Sequence, residues 1–451
     1  MSIFSGNLKK ILRLAFPIIL ANASAPLLGL ADTAVIGQTG HAADLGGIAL
    51  ATLVFSFVYW GFGFLRMGTT GFISQAFGAN DKEEVVIIVF RSILLGLSIG
   101  LALILLQSLI LFLAINWMSA SEQIKTLITE YFNIRIWGAP ATLVTYALLG
   151  SFIGLGKTKE LLWIQLLLNG LNIILNIVFV LGFNMGIKGI ALGTLLSEWI
   201  AFVFAWYLLK RHLSLQNPFL QIRNLWSQII LKSKIIALFK VNRDIMIRTF
   251  ALLAGFAWFA DQGAKFGDTI LAANHVLLQF VSLSAFFLDG YAYVVEMLSG
   301  KAIGENNIKE FKKQVKDSSI LAGITALILA LFILFLGPIF IKWLSQDTAV
   351  QIVAKEHLLF ASIYILLSFV AFQLDGIFIG ATQSKEMRNS SLFSLAILLV
   401  SSLLLINSYE NIGLWISFIL YVIARGCSLG FYYPALIQKQ FKNVYNTNSK
   451  N

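Results

Sequence analysis

A helix needs about 20 mostly apolar residues to cross the hydrocarbon core of a bilayer, and this 451-residue chain supplies one such window after another, divided by short polar breaks. With 58% hydrophobic and only 12% charged residues, it carries more apolar surface than a water-soluble core of this length can hide. The windows are long and unbroken rather than short and alternating, which implies helices and excludes a β-barrel reading. Hydropathy and turn signals predict an all-α polytopic membrane protein with twelve transmembrane helices near 11–38, 47–76, 85–116, 123–154, 160–182, 187–210, 244–265, 269–299, 314–341, 350–381, 387–408 and 412–437.

Charge sets the expected orientation. With the N-terminus inside, the outer loops and their edges hold only Lys125, Lys188, Lys265 and Lys342, and the inner loops and termini hold most other lysines and arginines. Both termini are therefore expected in the cytoplasm of a multi-pass plasma (inner) membrane protein. The same bias accounts for most of the +11 net charge without nucleic acid. The opening "MSIFSGNLKKILRLAFPIILANASA" mimics a signal peptide, but its apolar run continues to Ile36, so a first span that stays attached is expected. Cys427 is the single cysteine, which rules out an internal disulfide and a cysteine-based zinc cluster. No cofactor and no resident metal are expected, and a monomer is the expected state.

The chain repeats itself. "GSFIGLGKTKE" at 150–160 aligns with "GIFIGATQSKE" at 376–386, an offset of 226. The same offset pairs Ala76, Gly78, Asn80 and Glu84 with Ala302, Gly304, Asn306 and Glu310, and Glu130 with Glu356. Six spans lie within one period, so the halves enter the membrane in the same direction, and two six-helix lobes related by a pseudo-twofold axis along the membrane normal are expected. The expected divisions are an N-terminal lobe at 1–213, a cytoplasmic linker at 214–242 and a C-terminal lobe at 243–451. Within the linker, "IRNLWSQIILKSK" is basic and amphipathic, and suits either a lipid-surface helix or, as the favoured reading, a plain connector.

Most motif-like stretches have plain explanations. "GSFIGLGKT" departs from a phosphate-binding loop, since Ser151 stands where that pattern requires glycine and no strand precedes it. The Gly150-x-x-x-Gly154 and Gly376-x-x-x-Gly380 spacings instead predict close helix packing. His41, His212, His275 and His357 are scattered, with no pair at metal-ligand spacing, and no nucleophile elbow or catalytic triad is present.

What remains is buried charge. Asp32, Glu198, Asp289, Glu296 and Asp375 fall within spans, as do Arg66, Arg135 and Arg425, while Arg91 and Arg248 are placed to snorkel at span ends. A charge at mid-membrane costs about 2.5–3.5 kcal/mol on insertion scales, so such residues face a partner or a cavity. Internal ion pairing is the favoured reading of Glu296 and Asp375, and Asp261 and Lys265 read as a local i,i+4 pair. Asp32 differs, because it follows Pro26 by six residues and Gly29 by three, in a helix that lacks a hydrogen bond where it would bend. A carboxylate there can be neutralised by a proton or by a cationic substrate, the competition an antiporter requires. Asn169, Asn172 and Asn176 share one face of span five and are candidate neighbours, their amides suited to either protonation state, with interhelical bonding alone as the alternative. Glu198 is a second candidate in the same lobe, and Asp289, Glu296 and Asp375 are candidate polar residues of the other.

"PLLGLADTAVIGQTG" in span one, "LDGYAYVVEMLSGKAIG" at 288–304 and "DGIFIGATQSKEMRNS" at 375–390 resemble the multidrug and toxic compound extrusion (MATE) family, in the branch of the DNA-damage-inducible protein F, DinF. The resemblance covers essentially the whole chain. It implies twelve helices in two lobes, and export of organic cations and amphipathic toxic compounds against entry of H+, or in some relatives Na+, which would bind near Asp32. It maps the family's span-one acid onto Asp32 and its bending helix onto the Pro26 region. Family members commonly carry N-x-x-x-D in span five, where this chain has Asn172 and Asn176, so a second carboxylate is missing there and Asp32, with Glu198, would carry the coupling.

Two other readings stay open. A lipid-linked precursor flippase shares the wider superfamily's architecture and favours a strongly basic cavity, whereas here five deep acids stand against three deep arginines. A membrane-embedded enzyme is disfavoured by the missing catalytic set.

Overall fold

The computed structural model describes residues 6–37, 42–117, 121–214 and 218–442, so His41 and Lys450 lie outside the described residues. All regular elements among these are helices: α1 (Gly6–Gly37), α2 (Ala42–Gly61), α3 (Phe64–Gly78), α4 (Lys82–Leu105), α5 (Gln107–Trp117), α6 (Glu122–Arg135), α7 (Ala139–Gly154), α8 (Thr158–Ile177), α9 (Gly186–His212), α10 (Pro218–Ile229), α11 (Lys232–Ala264), α12 (Asp268–Gly304), α13 (Ile308–Leu344), α14 (Thr348–Gly380) and α15 (Ser384–Gln440). The twelve expected spans fall on these helices. Three spans are interrupted: α2 and α3 at a turn closed by Phe62 N–H on the Tyr59 carbonyl (3.0 Å), α4 and α5 at Leu106, and α6 and α7 by one turn of 3-10 helix ahead of Pro140. Conversely, α15 runs spans eleven and twelve together, with Glu410 (φ 47°, ψ −127°) breaking the helix between the two expected segments. Large apolar side chains such as Leu105, Trp343 and Phe431 are at least three-quarters exposed, as suits helices surrounded by lipid.

One compact unit comprises Met1–Ile19, Ser74–Asn80 and Phe239–Asn451, and is called the C-unit below. The other, the N-unit, comprises Leu20–Ile73 and Asp81–Leu238. Both α1 and α11 change unit along their length.

The 226-residue repeat extends to backbone detail. Helices beginning at Lys82, Glu122 and Thr158 are matched by helices beginning at Ile308, Thr348 and Ser384. The left-handed positions Asn80 (φ 58°), Gly156 (φ 74°) and Asn184 (φ 55°) are matched by Asn306 (φ 52°), Thr382 (φ 54°) and Glu410 (φ 47°). Asparagine tolerates that conformation, which explains Asn80 and Asn306 in the repeated motif. The residues that follow them are N-caps: Asp81 accepts from the Glu84 N–H (2.9 Å) and Asn307 from the Glu310 N–H (3.0 Å), satisfying donors that a helix start leaves open.

Glycines of the repeated GxxxG spacing sit against backbone, as helix packing requires. A Cβ on Gly150 would lie 2.3 Å from the Arg66 carbonyl oxygen, and one on Gly376 would lie 2.4 Å from that of Ala292. Gly154 faces the Thr70 carbonyl and Gly380 the Glu296 carbonyl in the same way. Residues 66 and 292, and 70 and 296, are themselves 226 apart, so both halves use one helix contact twice.

The linker's α10 packs its apolar side on α4, with Ile229 buried against Ile87 and Phe90. Arg91 corrects the snorkelling expectation: it is 7% exposed and turns inward, donating from Nε to the Ile229 carbonyl (3.1 Å) and from Nη2 to the Gln228 carbonyl (3.0 Å). It thereby caps the C-terminus of α10 with a positive charge, where the helix dipole favours one. Lys234 pairs with Glu84 (3.1 Å) and Gln228 donates to Glu83 (2.9 Å), so α10 and the start of α11 are docked on α4.

Candidate functional site

In the N-unit, α1, α8 and α9 bring together a carboxylate, three amides and three hydroxyls. Asp32 is buried, and its Oδ1 accepts from Asn176 Nδ2 at 2.6 Å. The same Nδ2 donates to Asn172 Oδ1 (2.8 Å), and Asn172 in turn donates to Thr194 Oγ (2.8 Å), with Ser197 at 3.5 Å. One turn earlier on α8, Asn169 donates to Ser24 Oγ on α1 at 2.7 Å. The 3- and 4-residue spacing of the asparagines places them on one helical face, and the structure turns that face onto both α1 and α9. Gly193 makes room for this, since a Cβ there would stand 2.2 Å from Asn176 Oδ1.

Asp32 makes no ion pair among the described residues. Glu198 is differently placed: Oε1 accepts from Arg135 Nη2 at 2.9 Å, and both are buried or nearly so. Arg135 also donates to the Tyr131 hydroxyl (3.1 Å) and lies over the rings of Phe55 (4.8 Å) and Tyr59 (5.7 Å). An aromatic cage of this kind holds a cation through ring quadrupoles as well as through the carboxylate. Arg135, Tyr131, Tyr59, Thr194 and Ser197 thus belong to the site's surroundings and were not anticipated as such. The one signal available for them was the i,i+4 spacing of Tyr131 and Arg135 on a span carrying a deep arginine.

Pro26 and Gly29 lie on the same helix as Asp32, both exposed, and α1 is helical throughout Gly6–Gly37. Pro26 has no N–H to donate to the previous turn, so the ladder is short of one bond between Asn22 and Asp32.

The C-unit arranges its charges otherwise. Asp375 accepts from both Arg248 and Arg425, all three buried. Arg248 therefore also departs from the snorkelling expectation, pointing to a carboxylate instead of the interface. Glu296 is 1% exposed on α12 and Asp289 is partly buried on the same helix, both in the C-unit. Asp261 and Lys265 form the exposed local pair at 3.0 Å.

The repeat makes the asymmetry sharp. Asp32 and Asn176 correspond at the 226 offset to Trp258 and Ser402, and these also touch, Trp258 Nε1 donating to Ser402 Oγ at 2.8 Å. The same inter-helix contact is a carboxylate and an amide in one half, an indole and a hydroxyl in the other. Only one of these pairs can change charge.

Nine helical stretches long and apolar enough to cross a membrane among the described residues, a 226-residue repeat and a buried acid on a proline-containing helix mark a polytopic membrane transporter. The chain belongs to the MatE family, whose sequence profile matches residues 17–178 and 262–407. It is 32% identical over 430 residues to the DNA damage-inducible protein F of Escherichia coli, covering 95% of this chain and 92% of that one. It is 25% identical over 448 residues to the probable multidrug resistance protein NorM of Bacillus cereus, covering 97% and 94%. A MATE crystal structure in the bent conformation shares its fold, with a TM-score of 0.85 at 20% identity over 97% of each chain. The family consists of multidrug efflux transporters, so this is a membrane protein that moves small molecules rather than an enzyme.

Proposed function

We propose that this chain is a cation-coupled antiporter that exports organic cations and amphipathic toxic compounds by alternating access, with H+ as the coupling ion and Asp32 as the group that carries it. What supports this most is the contrast between the two deep acids of the N-unit. Glu198 is already neutralised by Arg135, whereas Asp32 meets a neutral amide that can serve as donor or acceptor. A neutral neighbour leaves the carboxylate available to a proton or to a substrate's positive charge, and binding either excludes the other.

In the outward-facing state Asp32 takes a proton, α1 bends near Pro26 and Gly29, and substrate leaves. Facing inward it releases the proton, and the pocket accepts new substrate. The ion must bind the two states unequally for this to drive transport, since equal binding shifts nothing. Asn169 and Asn172 hold α8 against α1 and α9 while this happens. Na+ remains a chemically reasonable ligand for Asp32 and nearby amide oxygens. The expected monomer, the cytoplasmic termini and the lobe divisions 1–213, 214–242 and 243–451 belong to the same proposal.

The test is efflux of a fluorescent organic cation from proteoliposomes with pH and Na+ gradients imposed separately. Wild-type protein is expected to respond to the pH gradient, and Asp32→Asn to lose at least about tenfold of the gradient-driven rate, equivalent to about 1.4 kcal/mol. Undiminished coupled efflux in Asp32→Asn would overturn the proposal, and a response to Na+ alone would reassign the ion.

A further inference from the structure

The linker helix α10 carries more apolar surface than α4 covers. Ile222, Leu225 and Ile229, spaced three and four apart, share the face packed on α4, with Ile229 buried against Ile87 and Phe90. One flank of that face is polar, formed by Gln221, Asn224 and Gln228, and Gln228 is bonded to Glu83 (2.9 Å). The other flank holds Arg223, Trp226 and Ile230, all exposed, Trp226 by 46% and Ile230 by 45%. A helix bounded only by protein and water needs one apolar stripe; α10 has a second beside the first, with an arginine in it.

Depth and charge say what lies against that second stripe. The apolar run VVIIVF at 85–90 follows Glu84 on α4, and α10 packs at the third and sixth residues of that run. At 1.5 Å per residue this is about 5–9 Å past Glu84 along the helix, the depth at which amphipathic helices rest between headgroups and acyl chains. Tryptophan favours the same zone. Between Glu198 and Asp244 the chain holds seven lysines and arginines and no acidic residue. Lys234 is neutralised by Glu84 (3.1 Å), whereas Arg223 and Lys232 are exposed and have no carboxylate partner among the described residues. Exposed cations without acids beside them, next to an apolar stripe at interfacial depth, are complementary to a negatively charged leaflet.

We propose that α10 and the first residue of α11 form an interfacial binding site for acidic phospholipid. Trp226 and Ile230 lie at the top of the acyl chains, and Arg223 and Lys232 face the net negative headgroup. α10 is then gripped on two sides, by α4 through Ile229 and by lipid through the Arg223 flank. The inference goes beyond the transport reading and requires only that the chain spans a bilayer.

The test uses the full-length protein with Cys427→Ser and Ser227→Cys, labelled at position 227 with the fluorophore NBD, in nanodiscs of phosphatidylcholine. Ser227 is exposed and adjoins the Arg223, Trp226 and Ile230 flank. The discs contain a trace of lipid with a nitroxide high on its acyl chain, carried either by phosphatidylglycerol or by phosphatidylcholine. Both lipids are expected to quench the fluorophore, the acidic one about fivefold more efficiently, the factor that one cation near an acidic headgroup supplies. Raised salt should lower that ratio, and Arg223→Gln/Lys232→Gln should bring the two lipids level while leaving quenching by phosphatidylcholine unchanged. Absence of quenching by either lipid puts the flank in water and overturns the proposal, as does equal quenching by the two at low salt. Both criteria are read with Arg223 and Lys232 in place, so they stand even if the double variant does not fold. Because the readout is lipid proximity without transport, the result is separate from that of Asp32→Asn.

Discussion

Arg135 and Glu198 are a buried pair, and removing one partner strands the other's charge. Arg135→Gln is expected to destabilise the protein by about 3–5 kcal/mol, read as a lower unfolding temperature in detergent, and the double substitution Arg135→Gln/Glu198→Gln should recover much of that loss. Asp32→Asn, by contrast, should leave the unfolding temperature close to wild type while lowering coupled efflux, because its amide partner can re-pair with an amide. In the sequence Pro26 and Gly29 set Asp32 apart, whereas nothing separates Glu198 from the other acids in apolar spans. Nothing in the spacing of residues 135 and 198, 63 apart in the chain, foretold that they meet at 2.9 Å. The asparagine face of α8 is legible from its 3- and 4-residue spacing and is the expected neighbour of Asp32, but which of the three asparagines reaches the carboxylate is not.

At the scale of the helix, glycines divide by what lies opposite them. Gly150→Leu and Gly376→Leu should each abolish yield of folded protein, since both glycines face a carbonyl oxygen that no side chain can displace, whereas Gly170→Leu, with open space beside it, should express normally. Comparing monodisperse yields by size exclusion checks this. Pro26→Ala restores the donor missing at position 26 of α1 and is expected to slow gradient-driven efflux several-fold without weakening substrate binding, because the lost property is bending. Rapid-mixing transport beside equilibrium binding separates the two. The GxxxG repeat was readable as packing because the spacing alone places both glycines on one face. The role of Arg91 was not: a side chain near a span end has both water and protein within reach, and the structure shows it capping α10.

For the whole molecule, the positive-inside bias makes a topological prediction. A tag at the C-terminus should be reachable by protease in inside-out vesicles and protected in intact cells, and the reverse pattern would invert the orientation. The twelve-span count and the duplication were both carried by the sequence, since hydropathy is a local property and a repeat needs only self-comparison. Residues 80, 156 and 184 even share their left-handed backbone with 306, 382 and 410. What self-comparison missed is that equivalent positions were given different chemistry, with Asp32 and Asn176 in one half and Trp258 and Ser402 in the other.

Lipid as a solvent is what made so much readable: it forces every span to be long, apolar and helical, so length and hydropathy by themselves determine the class of fold, and a buried carboxylate such as Asp32 announces itself by its cost. The pairing of charges was left to tertiary structure. Asp32 with Asn176, Glu198 with Arg135, and Asp375 between Arg248 and Arg425 are contacts between helices distant in the chain, made by side chains whose reach depends on how those helices are packed and turned.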